Sequence, residues 1–180
     1  YNSFDTIAKK KKIFKVETIG DCYVAAAGLP EPRKDHAVAM ARFAHDCRRK
    51  MKSVVKKLEV LLGPDTADLT MRFGLHSGPV TAGVLRGEKS RFQLFGDTVN
   101  TAARMESTGI KSRIQVSQET ADLLRDAGKG RWVEPRDEMV SAKGKGQLQT
   151  YWLHTKDEMC NGSVIQTETE ESESCSDHPT

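Results

Sequence analysis

Residues 91–107 read RFQLFGDTVNTAARMES, in which a short apolar strand passes through Gly96 and Asp97 into a helix. Asn100 and Arg104 are four residues apart, so both project from one face of that helix. The guanidinium of Arg104 offers a planar fork of donors for phosphate oxygens, and the amide of Asn100 can orient a sugar or a leaving group. Taken alone, the pair also fits a plainer interpretation, a solvated arginine and an ordinary cap.

Two further segments have a composition that suits phosphate binding. Residues 15–21 read KVETIGD and residues 143–146 read KGKG. Together with residues 91–107, they make the chain from about residue 1 to residue 153 resemble the class III nucleotidyl cyclases, which form cyclic AMP or cyclic GMP from the triphosphate. The motifs are long and occur in the family's order, which short chance matches do not produce.

Apolar spacing predicts strands that alternate with helices. The predicted strands are 13–16, 22–27, 70–76, 80–85, 92–95, 114–116 and a last hairpin that ends at 151–153. The predicted helices are one that ends near Ala8, a long one from Asp35 to Gly63, the one that carries Asn100, and one over 118–125 that Ser117 caps. Ser77-Gly78-Pro79 predicts a hairpin between 70–76 and 80–85. These patterns indicate an α+β sandwich with helices on one face of a mainly antiparallel sheet, and the resemblance implies a ferredoxin-like βαββαβ core.

Composition limits the classes of function. The chain has 180 residues, and a hydrophobic share of 37% is enough for one domain with a buried core. Its 28 basic and 25 acidic residues leave a formal charge of +3, too small to indicate nucleic acid as a partner. No apolar stretch reaches the length of a membrane span, so we expect membrane attachment only through segments outside this chain. The four cysteines have neither metal-ligand spacing nor a disulfide framework, which indicates a reduced, cytoplasmic setting.

The chain divides into two expected parts. Residues 1–155 correspond to a cyclase catalytic domain, and residues 156–180 form an acidic tail rich in Ser, Thr and Glu. We expect the tail to be disordered, because it has little apolar surface to offset its ordering entropy. The family's first strand, with its segment of the type Phe-x-Asp-Ile-x-Gly-Phe, has no counterpart in this sequence. That segment carries the first metal aspartate, so we expect this chain alone to be inactive.

Gly20 and Asp21 occupy the expected tip of the first hairpin. Carboxylates suit Mg²⁺ or Mn²⁺, which hold triphosphates through one or two protein carboxylates and the phosphate oxygens. A lone Asp in such a turn is ordinarily a turn former. The resemblance implies instead that Asp21 is one of two metal-binding aspartates in a two-metal site, with the other ligand missing from this chain.

Glu17 and Gln93 occupy the positions that, by resemblance, choose the purine. Guanylate cyclases place a Glu and usually a Cys there, whereas adenylate cyclases usually place a Lys and an Asp. Guanine presents N1 and N2 hydrogens that a carboxylate accepts, whereas adenine presents a bare N1 lone pair. Gln93 departs from both patterns: its amide can donate to guanine or accept from adenine, and alone it also fits a polar residue on an exposed strand. Glu17 therefore favours GTP without excluding ATP.

The resemblance assigns the remaining roles in the site. Lys143 binds the triphosphate as a mobile point charge, Asn100 orients the ribose, and Arg104 stabilises charge at the reacting phosphate. No side chain is required as a base for the 3′-hydroxyl, because metal activation and electrostatic stabilisation can carry an in-line attack on the α-phosphate. His76 lies near a turn, and we expect it to be a half-buried histidine without a catalytic role.

These assignments predict a guanylate cyclase that converts GTP to cyclic GMP and pyrophosphate in intracellular signal transduction. An adenylate cyclase that acts on ATP is the nearest alternative, and a non-catalytic cyclase-homology module that dimerises or regulates a partner belongs to a different class. We expect a head-to-tail homodimer or heterodimer, because in the family Asp21 of one subunit faces the purine, ribose and phosphate residues of the other. The chain is expected in the cytoplasm, either free or as the cytosolic domain of a larger membrane protein.

Overall fold

The computed structural model describes residues 1–63, 65–66, 69–85, 91–142 and 146–154. Within these ranges the helices are α1 (Asn2–Lys11), α2 (His36–Leu62), α3 (Asp97–Ser107) and α4 (Gln118–Asp126). The strands are β1 (Phe14–Ile19), β2 (Cys22–Ala26), β3 (Phe73–Leu75), β4 (Thr81–Leu85), β5 (Arg91–Phe95), β6 (Ile114–Ser117), β7 (Val133–Pro135), β8 (Val140–Ala142), β9 (Gly146–Leu148) and β10 (Thr150–Leu153). The expected tail, residues 156–180, lies outside the described residues.

One sheet has the strand order β3-β6-β10-β7. In this sheet β3 pairs with β6 in parallel, whereas β10 pairs antiparallel with both β6 and β7. The other strands pair as antiparallel hairpins, β1 with β2, β4 with β5, and β8 with β9. This mainly antiparallel arrangement, covered by helices, confirms the predicted α+β class.

Helix α2 packs into two clusters of buried side chains. The first cluster joins α2 to β6 and α4, and its members include Ala37, Ala41, Ala44, Ile114, Val116, Ala121 and Leu124. The second joins α2 to α1 and the β1–β2 hairpin, and its members include Phe4, Ala8, Ile13, Ala39, Phe43 and Cys47. Burial of apolar surface on two sides explains why the apolar stripe of α2 is so broad in the sequence.

The predicted helix boundaries at α2 and α4 are confirmed. Asp35 is the N-cap residue of α2, but its carboxylate accepts hydrogen bonds from Arg33 instead of capping the helix, at 2.7 and 2.8 Å. Gly63 ends α2 with a φ of 100°, a conformation that favours glycine. Ser117 caps α4 through its side-chain oxygen, which accepts from the Thr120 amide.

The predicted hairpin between residues 70–76 and 80–85 is wrong. Strand β3 pairs with β6, and β4 pairs with β5. A parallel pair needs a crossover connection, and the β4–β5 hairpin with α3 supplies it between β3 and β6. Ser77-Gly78-Pro79 is therefore a link between two sheets, where the missing N–H of Pro79 costs no ladder hydrogen bond.

Gly74 of β3 lies directly beneath the backbone of α3. A Cβ atom at this position would be 2.1 Å from the Glu106 nitrogen and 2.5 Å from the Met105 carbonyl carbon. Backbone atoms cannot move aside as a flexible side chain does, so α3 can rest on β3 only where residue 74 has no side chain.

We predict that Gly74→Ala lowers the thermal midpoint of unfolding, because α3 must move off the sheet. Overpacking of this kind costs about 1 to 3 kcal/mol. The matched control is Gly83→Ala on β4, where the new Cβ would meet only the Phe95 ring, at the ordinary contact distance of 3.6 Å. Calorimetry of both variants checks the prediction, and equal midpoints would contradict the close approach.

Candidate active site

Helix α3 has a buried face and an exposed face. Thr101 and Met105 are buried, whereas Asn100 and Arg104 are exposed. The helix follows β5 after the single residue Gly96, whose φ of 122° turns the chain from the strand into the helix. The predicted pair therefore lies one turn apart on the solvent face of a helix whose other face is anchored in the core.

Glu17 lies on β1 next to a β-bulge. The register of β1 against β2 shifts between Lys15 and Glu17, so Val16 is an extra residue in the ladder. Without the bulge, Glu17 would share the exposed face of Lys15, because residues two apart on a strand point the same way. Both Val16 and Glu17 are half-buried in the structure. The bulge thus turns the Glu17 side chain away from that exposed face.

Gln93 lies on β5 opposite Gly83 of β4 and is half-buried. The β4–β5 hairpin meets the β1–β2 hairpin where Phe14 and Phe92 pack edge to face, with ring centroids 5.3 Å apart. Phe92 is the neighbour of Gln93, and Phe14 is on the same strand as Glu17. The structure therefore brings the strands that carry the two predicted purine-selecting residues next to each other.

Asp21 lies at the exposed tip of the β1–β2 hairpin. Gly20 precedes it with a φ of 58°, and the Tyr1 hydroxyl donates a hydrogen bond to the Asp21 carbonyl oxygen. Tyr1 also packs on the ring of Tyr23, with centroids 5.5 Å apart. Contacts from the α1 side therefore hold the backbone of this turn and leave the Asp21 carboxylate open to solvent.

The surroundings of Asp21 are acidic. Burial raises the pKa of the neighbouring Cys22 thiol, and the negative charges of Glu106 and Asp21 raise the pKa further. Glu106 belongs to the last turn of α3 and also forms an ion pair with Arg72 at 2.8 Å. Because the Arg72 guanidinium offsets the charge of Glu106, the exposed carboxylate of Asp21 is the group at the hairpin tip that suits a cation.

The donor set at the tip fits part of a magnesium or manganese site. Asp21 supplies one hard carboxylate, and Mg²⁺ is commonly held by one or two carboxylates together with waters and substrate phosphates. Among the described residues, no group of three or more His, Cys, Asp or Glu side chains is placed to hold a metal ion. Asp21 therefore fits one ligand of such an ion.

The predicted site residues lie on different elements of the chain. Within the described ranges, no hydrogen bond or ion pair links the Asp21 side chain to Asn100 or Arg104. Lys143 lies outside the described residues, between the end of β8 and the start of β9. In the described part of the chain, the Asp21 carboxylate is therefore not paired with the side chain of Asn100 or Arg104.

His76 is half-buried, as predicted. Its Nδ1 lies 2.7 Å from the Ser117 hydroxyl and 3.5 Å from a Glu119 carboxylate oxygen. The imidazole borders a cavity of about 480 Å³ that also touches Asp97 at the start of α3. Its partners tie it to the start of α4, which agrees with a packing role.

Sequence reasoning missed a polar network behind α3. Thr108, Gln115 and Arg136 are linked by hydrogen bonds beneath the last turn of the helix. No motif marks these residues. The one available signal is Gln115, a polar residue between Ile114 and Val116. An alternating strand pattern predicts a solvent-facing side chain at this position. In the structure Gln115 is instead fully buried.

The profile of the adenylate and guanylate cyclase catalytic domain matches residues 1–155. The chain belongs to this family. It is 44% identical over 153 residues to the receptor-type guanylate cyclase gcy-28 of Caenorhabditis elegans, a match that covers 85% of this chain and 11% of the relative. The chain thus spans only about a tenth of the length of that curated relative.

Two solved structures resemble the chain in fold and sequence. The guanylate cyclase domain of RhGC from Catenaria anguillulae, solved in complex with GTP, is 39% identical with a TM-score of 0.70, and the match covers 86% of this chain and 79% of that domain. The guanylyl cyclase domain of the RhoGC fusion protein from Blastocladiella emersonii, solved as a non-canonical dimer, is 34% identical with a TM-score of 0.63, and the match covers 84% of this chain and 77% of that domain. These likenesses confirm the predicted cyclase-domain fold.

None of the helices in the described ranges combines the length and the apolar content that a membrane span requires.

Proposed function

We propose that this domain is a guanylate cyclase that converts GTP to cyclic GMP and pyrophosphate for intracellular signalling. The observation that carries the proposal is the half-buried carboxylate of Glu17 on a strand packed next to the strand of Gln93. The domain of the C. anguillulae relative was solved with GTP bound, which supports the same substrate here.

In the proposed reaction the ribose 3′-oxygen attacks the α-phosphorus. A bond forms between these two atoms, the bond from the α-phosphorus to the oxygen that bridges to the β-phosphate breaks, and pyrophosphate leaves. The hydroxyl proton passes to solvent. Asn100 orients the ribose, and the guanidinium of Arg104 stabilises the charge that develops on the phosphate oxygens. Lys143 binds the triphosphate in this proposal, an assignment that rests on its Lys-Gly-Lys-Gly motif.

Base recognition in this proposal depends on Glu17. Its carboxylate accepts hydrogen bonds from guanine N1 and N2, whereas it would repel the lone pair of adenine N1. Gln93 donates to the guanine carbonyl oxygen, and a rotated amide accepts from the adenine amino group. Glu17 therefore sets the preference for GTP, and Gln93 leaves some activity with ATP.

We assign one ligand of the divalent metal site to Asp21. Bound Mg²⁺ or Mn²⁺ would supply charge neutralisation of the triphosphate and activation of the attacking oxygen. The exposed carboxylate at the tip of the hairpin supports the assignment. A second aspartate, as in other class III cyclases, would complete the two-metal site.

The proposed functional unit is a head-to-tail dimer. As the class III resemblance implies, the hairpin tip with Asp21 of one chain faces the α3 surface with Arg104 of its partner. Exposed apolar residues on the β4–β5 hairpin, among them Val84 and Phe92, are suited to burial against a second cyclase domain, either identical or related. The B. emersonii domain was solved as a non-canonical dimer, which supports dimerisation of such domains, whereas the head-to-tail arrangement proposed here rests on the class III resemblance.

We further propose that residues 1–155 act as a catalytic domain on the cytosolic side of a longer signalling protein, with residues 156–180 as a separate acidic segment. The receptor-type relative in C. elegans supports the cytosolic placement, with membrane attachment through segments other than this chain. An adenylate cyclase and a non-catalytic regulatory module remain the alternatives, and the experiments below distinguish them.

We predict that the longest natural polypeptide containing this chain prefers GTP over ATP by roughly tenfold to a hundredfold in kcat/KM. The reason is that one lost or repelled base contact costs about 1 to 3 kcal/mol. The double change Glu17→Lys with Gln93→Asp should move the preference toward ATP, since it inverts both contacts. The control is Thr18→Lys, which adds the same charge at an exposed position of the same strand. A preference for ATP in the unmodified protein would overturn the guanylate assignment.

We predict that Arg104→Ala lowers kcat by roughly a hundredfold and changes GTP affinity much less. A donor aimed at developing charge acts mainly in the transition state, and its removal costs on the order of 3 kcal/mol. Steady-state kinetics and equilibrium binding of GTP check this, with Arg49→Ala on the exposed surface of α2 as the control. An unchanged kcat with weaker binding would instead make Arg104 a uniform binding residue.

We predict that inactive Asp21→Ala and Arg104→Ala chains recover activity when they are mixed. Half of randomly paired dimers are mixed and each has one intact site of two, so recovery should approach about a quarter of the unmodified activity. The control mixture is Asn100→Ala with Arg104→Ala, because both lesions lie on the same surface and no pairing restores a site. The shared-site geometry fails if the first mixture stays as silent as the second.

A further inference from the structure

We propose that Arg136 is a positioning residue that fixes the last turn of α3 and thereby sets the place of the Arg104 guanidinium. This inference rests on the proposed function of Arg104. It concerns a residue outside the predicted site, on the segment that follows β7.

The guanidinium of Arg136 bonds two acceptors with one nitrogen. Its Nη1 donates to the carbonyl oxygen of Thr108 at 3.0 Å and to Oε1 of Gln115 at 3.0 Å. Thr108 is the C-cap of α3, where backbone carbonyls have no partner within the helix. A cation at this end is also favoured by the helix dipole.

The network continues from Thr108 to Arg104 itself. The amide nitrogen of the fully buried Gln115 donates to the Thr108 hydroxyl at 3.1 Å. That hydroxyl donates to the carbonyl oxygen of Arg104 at 2.7 Å, and the Thr108 backbone N–H donates to the same oxygen at 3.0 Å. Two relays, each no more than three hydrogen bonds long, therefore connect the Arg136 guanidinium to the backbone of the proposed catalytic arginine.

Arg136 is itself held by the sheet. Its backbone N–H donates to Thr150 at 2.9 Å, and its carbonyl accepts from the Gln149 side chain at 2.8 Å. The guanidinium lies over the Trp152 ring, 5.1 Å from the centroid, and Nη2 donates to Glu138 at 3.2 Å. Only 15% of the Arg136 side chain is exposed, so it has little freedom to move. It therefore holds the last turn of α3 in a fixed place relative to the sheet.

A small displacement of α3 matters because Arg104 is proposed to act on a charge that exists only in the transition state. Misplacement of a catalytic group by about 1 Å can cost a hundredfold in rate. Loss of the Arg136 contacts should loosen the last turn without removing Arg104, so the expected effect is on kcat and not on KM.

Arg113 is a matched control. Its guanidinium stacks on the same Trp152 ring, 4.2 Å from the centroid. Among the described residues, no hydrogen bond joins the Arg113 side chain to α3. A change at Arg113 therefore tests loss of arginine stacking on Trp152 without touching the Thr108–Gln115–Arg136 network.

The first experiment measures amide hydrogen exchange in this chain without nucleotide. In Arg136→Lys, which keeps the charge but loses the planar fork, protection of the Thr108 amide should fall about tenfold, whereas Arg113→Lys should leave it unchanged. Thr108→Val is a second variant that breaks the relay through the Thr108 hydroxyl while leaving Arg136 and Trp152 intact, and it should also loosen the last turn of α3. Unchanged exchange in both network variants overturns the inference, whatever the activity.

The second experiment measures kinetics in the longest natural polypeptide that contains the chain. Arg136→Lys and Thr108→Val should lower kcat about tenfold with KM for GTP within about twofold, and Arg113→Lys should match the unmodified protein. Normal kcat in the network variants, or an equal loss in Arg113→Lys, makes Arg136 merely structural. If the unmodified protein forms no cyclic GMP, the proposed function fails, and the exchange experiment alone then decides whether Arg136 fixes α3.

Discussion

The arrangement of the domain depends on the direct contact between the backbone of α3 and β3. At Gly74 no side chain separates the two elements, so the helix rests on the sheet at a distance that any Cβ would prevent. This contact buries Met105 and Thr101 on one side of α3 and leaves Asn100 and Arg104 on the other. The same helix thus contributes to the core and carries the candidate chemistry.

The proposed function requires that Asp21 and Arg104 do not pair with each other within one chain. If the Asp21 carboxylate and the Arg104 guanidinium were neighbours in one chain, they would pair and satisfy each other. Neither would then be available, one for a divalent cation and the other for a phosphate. Both side chains are exposed, and no ion pair joins them in the described part of the chain. In the proposed dimer, a substrate that carries both metal and phosphate would then bridge two subunits.

Local patterns predicted what local interactions determine. The helix that carries Asn100 and Arg104, the cap at Ser117 and the end of α2 at Gly63 follow from side-chain spacing and backbone preference, and all are confirmed. Strand pairing is different, because it joins segments far apart in the chain. The strand pattern therefore predicted the wrong partner for β3. It also predicted an exposed side chain for Gln115 of β6, which is buried and holds the end of α3.

Under the proposed function, purine choice depends on a backbone irregularity as well as on residue identity. The extra residue Val16 shifts the register of β1 at the half-buried Glu17, and β1 packs next to β5 through Phe14 and Phe92. A carboxylate that is half-buried interacts more strongly with the edge of a base than one in open water, because fewer water molecules screen it. On a regular strand the same glutamate would share the exposed face of Lys15, whose ammonium is paired with Asp5. The bulge is therefore what makes the charge of Glu17 useful for telling guanine from adenine.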